Sequence, residues 1–290
     1  MNRSSPPHKP RRSVSRLMTF FLCACAVCAI AGAGTLRAAE TPRTVYASLP
    51  WLAGVTHFIV GTTINVQEAS QWNMSGALRI PKKLPQTATL IALDPADAAR
   101  FGMVKGQERL FLLYKNLPIE EHERGTLPFN PSVLPFLSQR LLKVLCEIKP
   151  ENYSFYQRRL AEFQSRLEST VEVGRSLIGD ISILDLSGSV SPWVRAACGH
   201  AVRPPRELWN AWIGDTRTPD LALAVKEAEA RNWWIVTDPW TPPQIAARIS
   251  ASPKLISITL LQPGQEFFDY LHAIYLEIWT AVDVSRNKKH

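Results

Sequence analysis

The chain has 290 residues, of which 46% are hydrophobic and 20% charged, and its 33 basic and 25 acidic residues give a formal net charge of +8. Residues 1–39 hold six of the basic residues and none of the acidic ones, so the remainder carries +2, and the overall charge is no argument for a nucleic-acid partner. Those remaining residues suffice for two modest lobes, each with a core.

The basic leader Arg3, Lys9, Arg11, Arg12 and Arg16 precedes an uncharged run over 17–33. This is the layout of a secretory signal peptide, expected over 1–39, with small residues for cleavage after Ala33 or near Ala38 or Ala39. An uncleaved anchor is the alternative, but the run is at the short end of what spans a bilayer. Cys23, Cys25 and Cys28 lie in this leader, leaving Cys146 and Cys198. An exported protein can join two cysteines. Cys146, however, shares an apolar helical pattern with Leu141, Leu142, Leu145 and Ile148, which favours burial as a small apolar residue.

After the leader, residues 44–48 read as a strand, 52–60 as a helix stopping at Gly61, and 63–66 as a second strand. A continuous apolar run over 87–93 is expected of a strand buried on both faces. Asp94-Pro95 starts a short helix with Asp94 as N-cap, 110–114 is a strand, and 132–148 a helix. Between Pro150 and Asp180, the apolar positions Tyr156, Leu160, Phe163, Leu167 and Leu177, with small Thr170 and Gly174 between the last two, keep helical spacing. The segment predicts one helix of roughly 40 Å, opened by Pro150 and closed at Gly179. Beyond it, 181–186 is a strand, 193–198 begins a helix, and 220–231 is a second one. Strand 233–237 then runs into Asp238-Pro239, 243–250 is helical, 255–261 is a strand, and 266–282 is a closing amphipathic helix.

Strands and helices alternating on both sides of the long helix predict an α/β fold of two lobes, each a mainly parallel sheet flanked by helices. The expected division is an N-terminal lobe over 40–149, a connecting helix over 150–180, and a C-terminal lobe over 181–290.

With this organisation, Asn130-Pro131, the segment from Pro150 to Tyr156 with Leu160, Phe163 and Leu167, the stretch from Trp233 to Pro243, and the closing Asp269 to Tyr275 resemble the zinc- and manganese-binding proteins that serve ABC importers in bacterial envelopes. The resemblance covers nearly all of the chain after the leader. It implies a periplasmic solute-binding protein: such proteins hold a metal with histidines and carboxylates from loops of both lobes, and here the matching positions carry none. The first falls among residues 67–74, near Asn73; the second on Thr126; the third on Gly188; the closing one on Gln262. An amide or hydroxyl does not replace an imidazole, and glycine supplies no side chain.

Other candidates are weaker. Glu120, Glu121, His122 and Glu123 could bind a divalent ion weakly, although a solvated acidic loop is the plainer reading. His57, His200 beside Cys198, His272 and His290 are single histidines. Trp72, Trp193 and Trp240 stand near the expected loops and would suit an uncharged organic ligand or a chelated metal, or simple core packing. No nucleophile, metalloprotease or phosphate-loop motif occurs, so no enzyme is expected. The resemblance implies an exported, monomeric component that hands its ligand to an ABC-importer membrane permease, with zinc or manganese bound weakly at best. The alternatives are a binding protein for a metal chelate or small organic solute, or a protein-interaction module that kept the fold.

Overall fold

The computed structural model describes residues 43–104, 106–115, 129–214 and 217–287. The leader, Thr126 and the acidic loop with Glu121, His122 and Glu123 therefore lie outside the described residues.

The first lobe runs β1 (Thr44–Ala47), α1 (Pro50–Val60), β2 (Asn65–Glu68), β3 (Gln71–Trp72), β4 (Leu78–Arg79), β5 (Thr89–Ala92), α2 (Pro95–Ala99), β6 (Leu110–Leu112) and α3 (Leu134–Ile148). The second runs β7 (Ser182–Asp185), α5 (Ser191–Ala197), β8 (His200–Val202), α6 (Arg206–Ile213), α7 (Thr218–Ala230), β9 (Trp234–Thr237), α8 (Pro243–Ile249), β10 (Leu255–Ser257) and α9 (Phe267–Asn287). Between them lies α4 (Tyr153–Ile178), of 26 residues, entered through a 3-10 turn at Pro150–Asn152. At 1.5 Å per residue it is about 39 Å long.

Each lobe holds a four-stranded parallel sheet, in the orders β2-β1-β5-β6 and β10-β9-β7-β8. Counted along the chain within each lobe, both sheets have the order 2-1-3-4. The order reverses between the first and third strands, which are β1 and β5 in one lobe and β7 and β9 in the other. Beyond the carboxyl ends of such a pair lies the crevice where open α/β sheets place ligands. The central strands are apolar on both faces, as a parallel sheet covered by helices requires: β5 and β9 are buried at every position.

The apolar stripe of α4, comprising Tyr156, Leu160, Phe163 and Leu167, is buried, and Thr170 and Gly174 continue it. Small residues are needed there because α9 passes close by. A Cβ on Gly174 would meet the Tyr275 ring at 2.6 Å and Ala197 Cβ at 2.9 Å. One apolar core joins Val45, Trp51 and Leu137 of the first lobe to Ile183, Trp193 and Val236 of the second through Phe163, Phe267 and Tyr270. The C-terminal lobe keeps a second cluster under α6, α7 and α8 around Trp212 and Ile245.

Several elements depart from the sequence expectation. The strand expected at 63–66 begins at Asn65, and that expected over 255–261 ends at Ser257. The hairpin β3–β4, strand β8 and helix α6 were not expected. Cys146 and Cys198 are both free; Cys198 is buried and its Sγ donates to the Ile181 carbonyl at 2.9 Å.

Candidate functional site

The carboxyl ends of β1, β5, β7 and β9 carry the polar residues nearest the two crevices, and in both lobes a buried carboxylate is already engaged. In the first lobe, Asp97 accepts from the Ser48 hydroxyl at the end of β1 and from Leu93 N–H at 3.0 Å, and pairs with Arg100 at 3.2 Å. Burial nevertheless holds its pKa above the usual carboxylate range. Asp94 caps α2 by accepting from Asp97 N–H at 2.9 Å.

In the second lobe, Asp238 follows β9 and turns inward. Its Oδ1 accepts Gly188 N–H at 2.8 Å and Trp240 N–H at 3.0 Å, while Oδ2 accepts Ser189 N–H at 2.7 Å and Val190 N–H at 3.0 Å. Here too burial raises the pKa, against those backbone donors. Asp185, at the end of β7, is fully buried; it accepts from the Ser187 and Ser191 hydroxyls and lies 3.6 Å from the Arg203 guanidinium. Both switch points are thus closed by hydrogen bonds internal to the chain. Asp238 stands at the end of β9 and serves the loop over 188–190.

The loop that Asp238 holds presses Gly188 against Trp240. A Cβ at 188 would lie 2.7 Å from Trp240 Cβ and 2.9 Å from its carbonyl oxygen. On the other side of the same residue, a Cβ at Gly76 would lie 2.8 Å from Trp240 Nε1, and Gly76 has φ +73°, a conformation that glycine adopts without strain. Trp72 meets the indole edge-on, with ring centroids 4.9 Å apart at 84°. Trp240 is therefore wedged between the β3–β4 hairpin of one lobe and the β7–α5 loop of the other. Among the described residues, Trp72 Nε1 has no hydrogen-bond partner.

Of the four positions singled out by resemblance, the structure brings the Asn73 hairpin and Gly188 to two sides of this wedge. Asn73 is exposed at the hairpin turn, where its Oδ1 accepts from Ser75 N–H at 3.0 Å and Ala77 N–H at 2.9 Å. Gln262 is exposed in the loop before α9, its Nε2 donating to the Leu260 carbonyl at 2.9 Å and its N–H to Gln265 Oε1 at 3.0 Å. Among the described residues, no group of three or more His, Cys, Asp or Glu side chains is placed to hold a metal ion.

The single histidines are dispersed. His57 is exposed in the last turn of α1 and not on its apolar face. His200 contacts Ser182 Oγ at 3.0 Å and stacks edge-on against Trp233, apart from the Cys198 thiol, which is engaged with Ile181. His272 meets Thr170 at 3.3 Å. Trp193 belongs to the core, fully buried and donating to the Phe129 carbonyl at 2.9 Å, whereas Trp72 and Trp240 are half-buried at the seam.

The wedge and the Ser48–Asp97 contact were not anticipated. One signal for a common arrangement was present: Leu93-Asp94-Pro95 and Thr237-Asp238-Pro239 place an Asp-Pro pair after the third strand of both sheets.

One cavity opens along the same seam, with a volume of about 160 Å³. His57 on α1, Glu68 at the end of β2, and Gln265 and Glu266 before α9 bring polar groups from both lobes to its wall.

No protein-family model matches the chain, and no curated protein matches it. Solved structures do. ZnuA superposes with a TM-score of 0.54 at 15% identity, and the laminin-binding protein Lmb of Streptococcus agalactiae, described as having adhesin and metal-transporting activity, with 0.55 at 12%. A cadmium-bound periplasmic metal-binding protein from candidatus Liberibacter asiaticus gives 0.56 at 14%. Each match covers 83% of this chain and 99% of the other. The chain has the two-lobed fold of the periplasmic metal-binding proteins, with its long helix between the lobes.

Proposed function

We propose that this chain is the exported solute-binding component of a metal-type ABC importer whose ordinary metal site has been lost or rebuilt, and that it delivers its ligand to a membrane permease in the bacterial periplasm. The observation that carries the reading is Trp240, wedged between Gly76 and Gly188 where loops of the two lobes meet. An imidazole at 188 would collide with the Trp240 backbone, so the glycine there is a packing requirement as well as an absent ligand. Asn73 and Gln262 supply amides already turned to their own loops. Neutral amide oxygens lack the charge and softness with which imidazole and carboxylate hold zinc or manganese. The alternative ligand, a metal chelate or small organic solute, is supported by the cavity that draws residues from both lobes.

Calorimetric titration of the metal-stripped protein tests the reading. Zinc and manganese are expected to bind at least a thousandfold more weakly than to a relative with a complete histidine and carboxylate set, a difference of about 4 kcal/mol. Tight one-to-one zinc binding would overturn the loss of the metal site and leave a rebuilt one. Loss of such binding in His122→Ala would then assign the ion to the acidic loop, and Glu121→Gln and Glu123→Gln would divide the contribution among its carboxylates.

A further inference from the structure

Resting on the solute-binding reading, we propose that the seam cavity bordered by Glu68, Glu266, Gln265 and His57 takes the charged head of a small organic cation, a guanidinium or primary ammonium. The cavity is built from both lobes. His57 comes from α1, Glu68 from β2, and Gln265 and Glu266 from the segment leading into α9. A ligand there touches both lobes at once, as a solute carried between them must.

Charge decides the sign of the ligand. Among the described residues, two carboxylates line the wall and neither lysine nor arginine does. Glu68 is half-buried, and the side-chain hydrogen bond that moderates its desolvation comes from Gln71. No ion pair to Glu68 occurs among the described residues. Burial raises its pKa, so in the empty cavity its charge is held at a cost that a cation would offset.

Geometry separates an organic cation from a bare metal ion. Among the described residues, the lining groups do not form a three-ligand set able to coordinate an ion. Spread around a cavity wall, carboxylate and amide oxygens instead suit a cation whose N–H donors point in several directions, as those of guanidinium and ammonium do. The volume sets the size. About 160 Å³ is below the roughly 300–1,000 Å³ of sites that enclose a drug-sized ligand, so the cavity accommodates a head group of a few non-hydrogen atoms and the apolar Val66, Leu261 and Phe267 border its stem.

The test compares methylguanidinium and ethylammonium with methylurea, the neutral isostere of the first, by calorimetry on the metal-stripped protein. Saturable one-to-one binding of a cation, with methylurea at least tenfold weaker, is expected. Glu68→Gln should weaken cation binding at least tenfold, and Glu266→Gln less, because that side chain is exposed. Glu151→Gln, in the turn before α4 beside Lys149 and outside the cavity lining, should leave it unchanged. Equal binding of methylurea, or undiminished binding in Glu68→Gln, would overturn the proposal. If neither cation binds but a zinc chelate or uncharged solute does, this inference fails while the solute-binding reading stands. If bare zinc binds tightly and neither cation does, this inference fails together with the loss of the metal site, and the solute-binding reading stands with a metal as the ligand.

Discussion

Asp238 accepts four backbone N–H groups with two oxygens, and this makes an isosteric substitution unusually damaging. Asparagine offers one acceptor oxygen, and its amide group would face the two donors formerly served by the other. Leaving two buried N–H groups unsatisfied costs about 1–3 kcal/mol each. Asp238→Asn is expected to lose about 2–6 kcal/mol in urea unfolding; a loss under about 1 kcal/mol would show that the loop over 188–190 does not depend on this carboxylate. Glu68 predicts the opposite sign. Its folded pKa is raised by burial, so the folded state binds its proton more firmly than the unfolded chain, and stability falls as pH rises from the unfolded value toward the folded one. Glu68→Gln should therefore melt higher than the parent at pH 7.5, with the gap closing as the pH falls to about 4. Melting curves at both pH values check this, and a gap that is absent at pH 7.5 or persists in acid contradicts it.

Where helices cross, local propensity and packing compete, and Gly174 shows which wins. Alanine is a better helix former than glycine by about 1 kcal/mol, yet here its methyl would lie 2.6 Å from the Tyr275 ring. That ring cannot swing away, being fully buried with its hydroxyl donating to the Trp193 carbonyl at 3.2 Å. Gly174→Ala should destabilise by about 1–3 kcal/mol, the cost of overpacking, while Ser176→Ala on the exposed face of the same helix should be neutral or slightly stabilising. Equal thermal melts for the two variants would remove this crossing from the account. The same balance explains what was legible in the sequence. The long helix was legible because Tyr156, Leu160, Phe163 and Leu167 repeat one packing requirement over several turns, as was the N-cap Asp94, a purely local hydrogen bond. The β3–β4 hairpin was not, since each strand has two residues and too few alternations to read a period. Strand β8, exposed at two of its three positions on a sheet edge, carries equally little apolar pattern. Of the candidate positions, that Asn73, Gly188 and Gln262 themselves carry no imidazole was visible in the residues. Trp240 as the body between Gly76 and Gly188 was not, because a contact among three loops distant in sequence leaves no local period.

At the scale of the whole molecule, the two lobes differ from independent domains in sharing an apolar core. Trp51, Leu137 and Phe129 on one side and Ile183, Trp193 and Val236 on the other belong to a single cluster, with Phe163 of α4 and Phe267 and Tyr270 of α9 between them. Phe129 touches Trp193, Phe267 and Tyr270 with ring centroids 5.7 to 6.0 Å apart, so unfolding the second lobe would strip the first of this packing. Each exposed aromatic ring forfeits burial worth about 1.5–3 kcal/mol, which penalises any state with only one lobe folded. The expected outcome is one cooperative urea transition for the chain from residue 40 onward, despite a two-lobed outline. Tryptophan placement gives an internal check, because seven of the nine tryptophans lie in the second lobe or α9 and only Trp51 and Trp72 in the first. Fluorescence is therefore weighted toward the second lobe, whereas far-ultraviolet circular dichroism follows the helices of both. Coincident midpoints by the two probes are the signature of two-state unfolding; a fluorescence transition separated from the dichroism transition would show that the lobes unfold independently and that the shared core does not couple them.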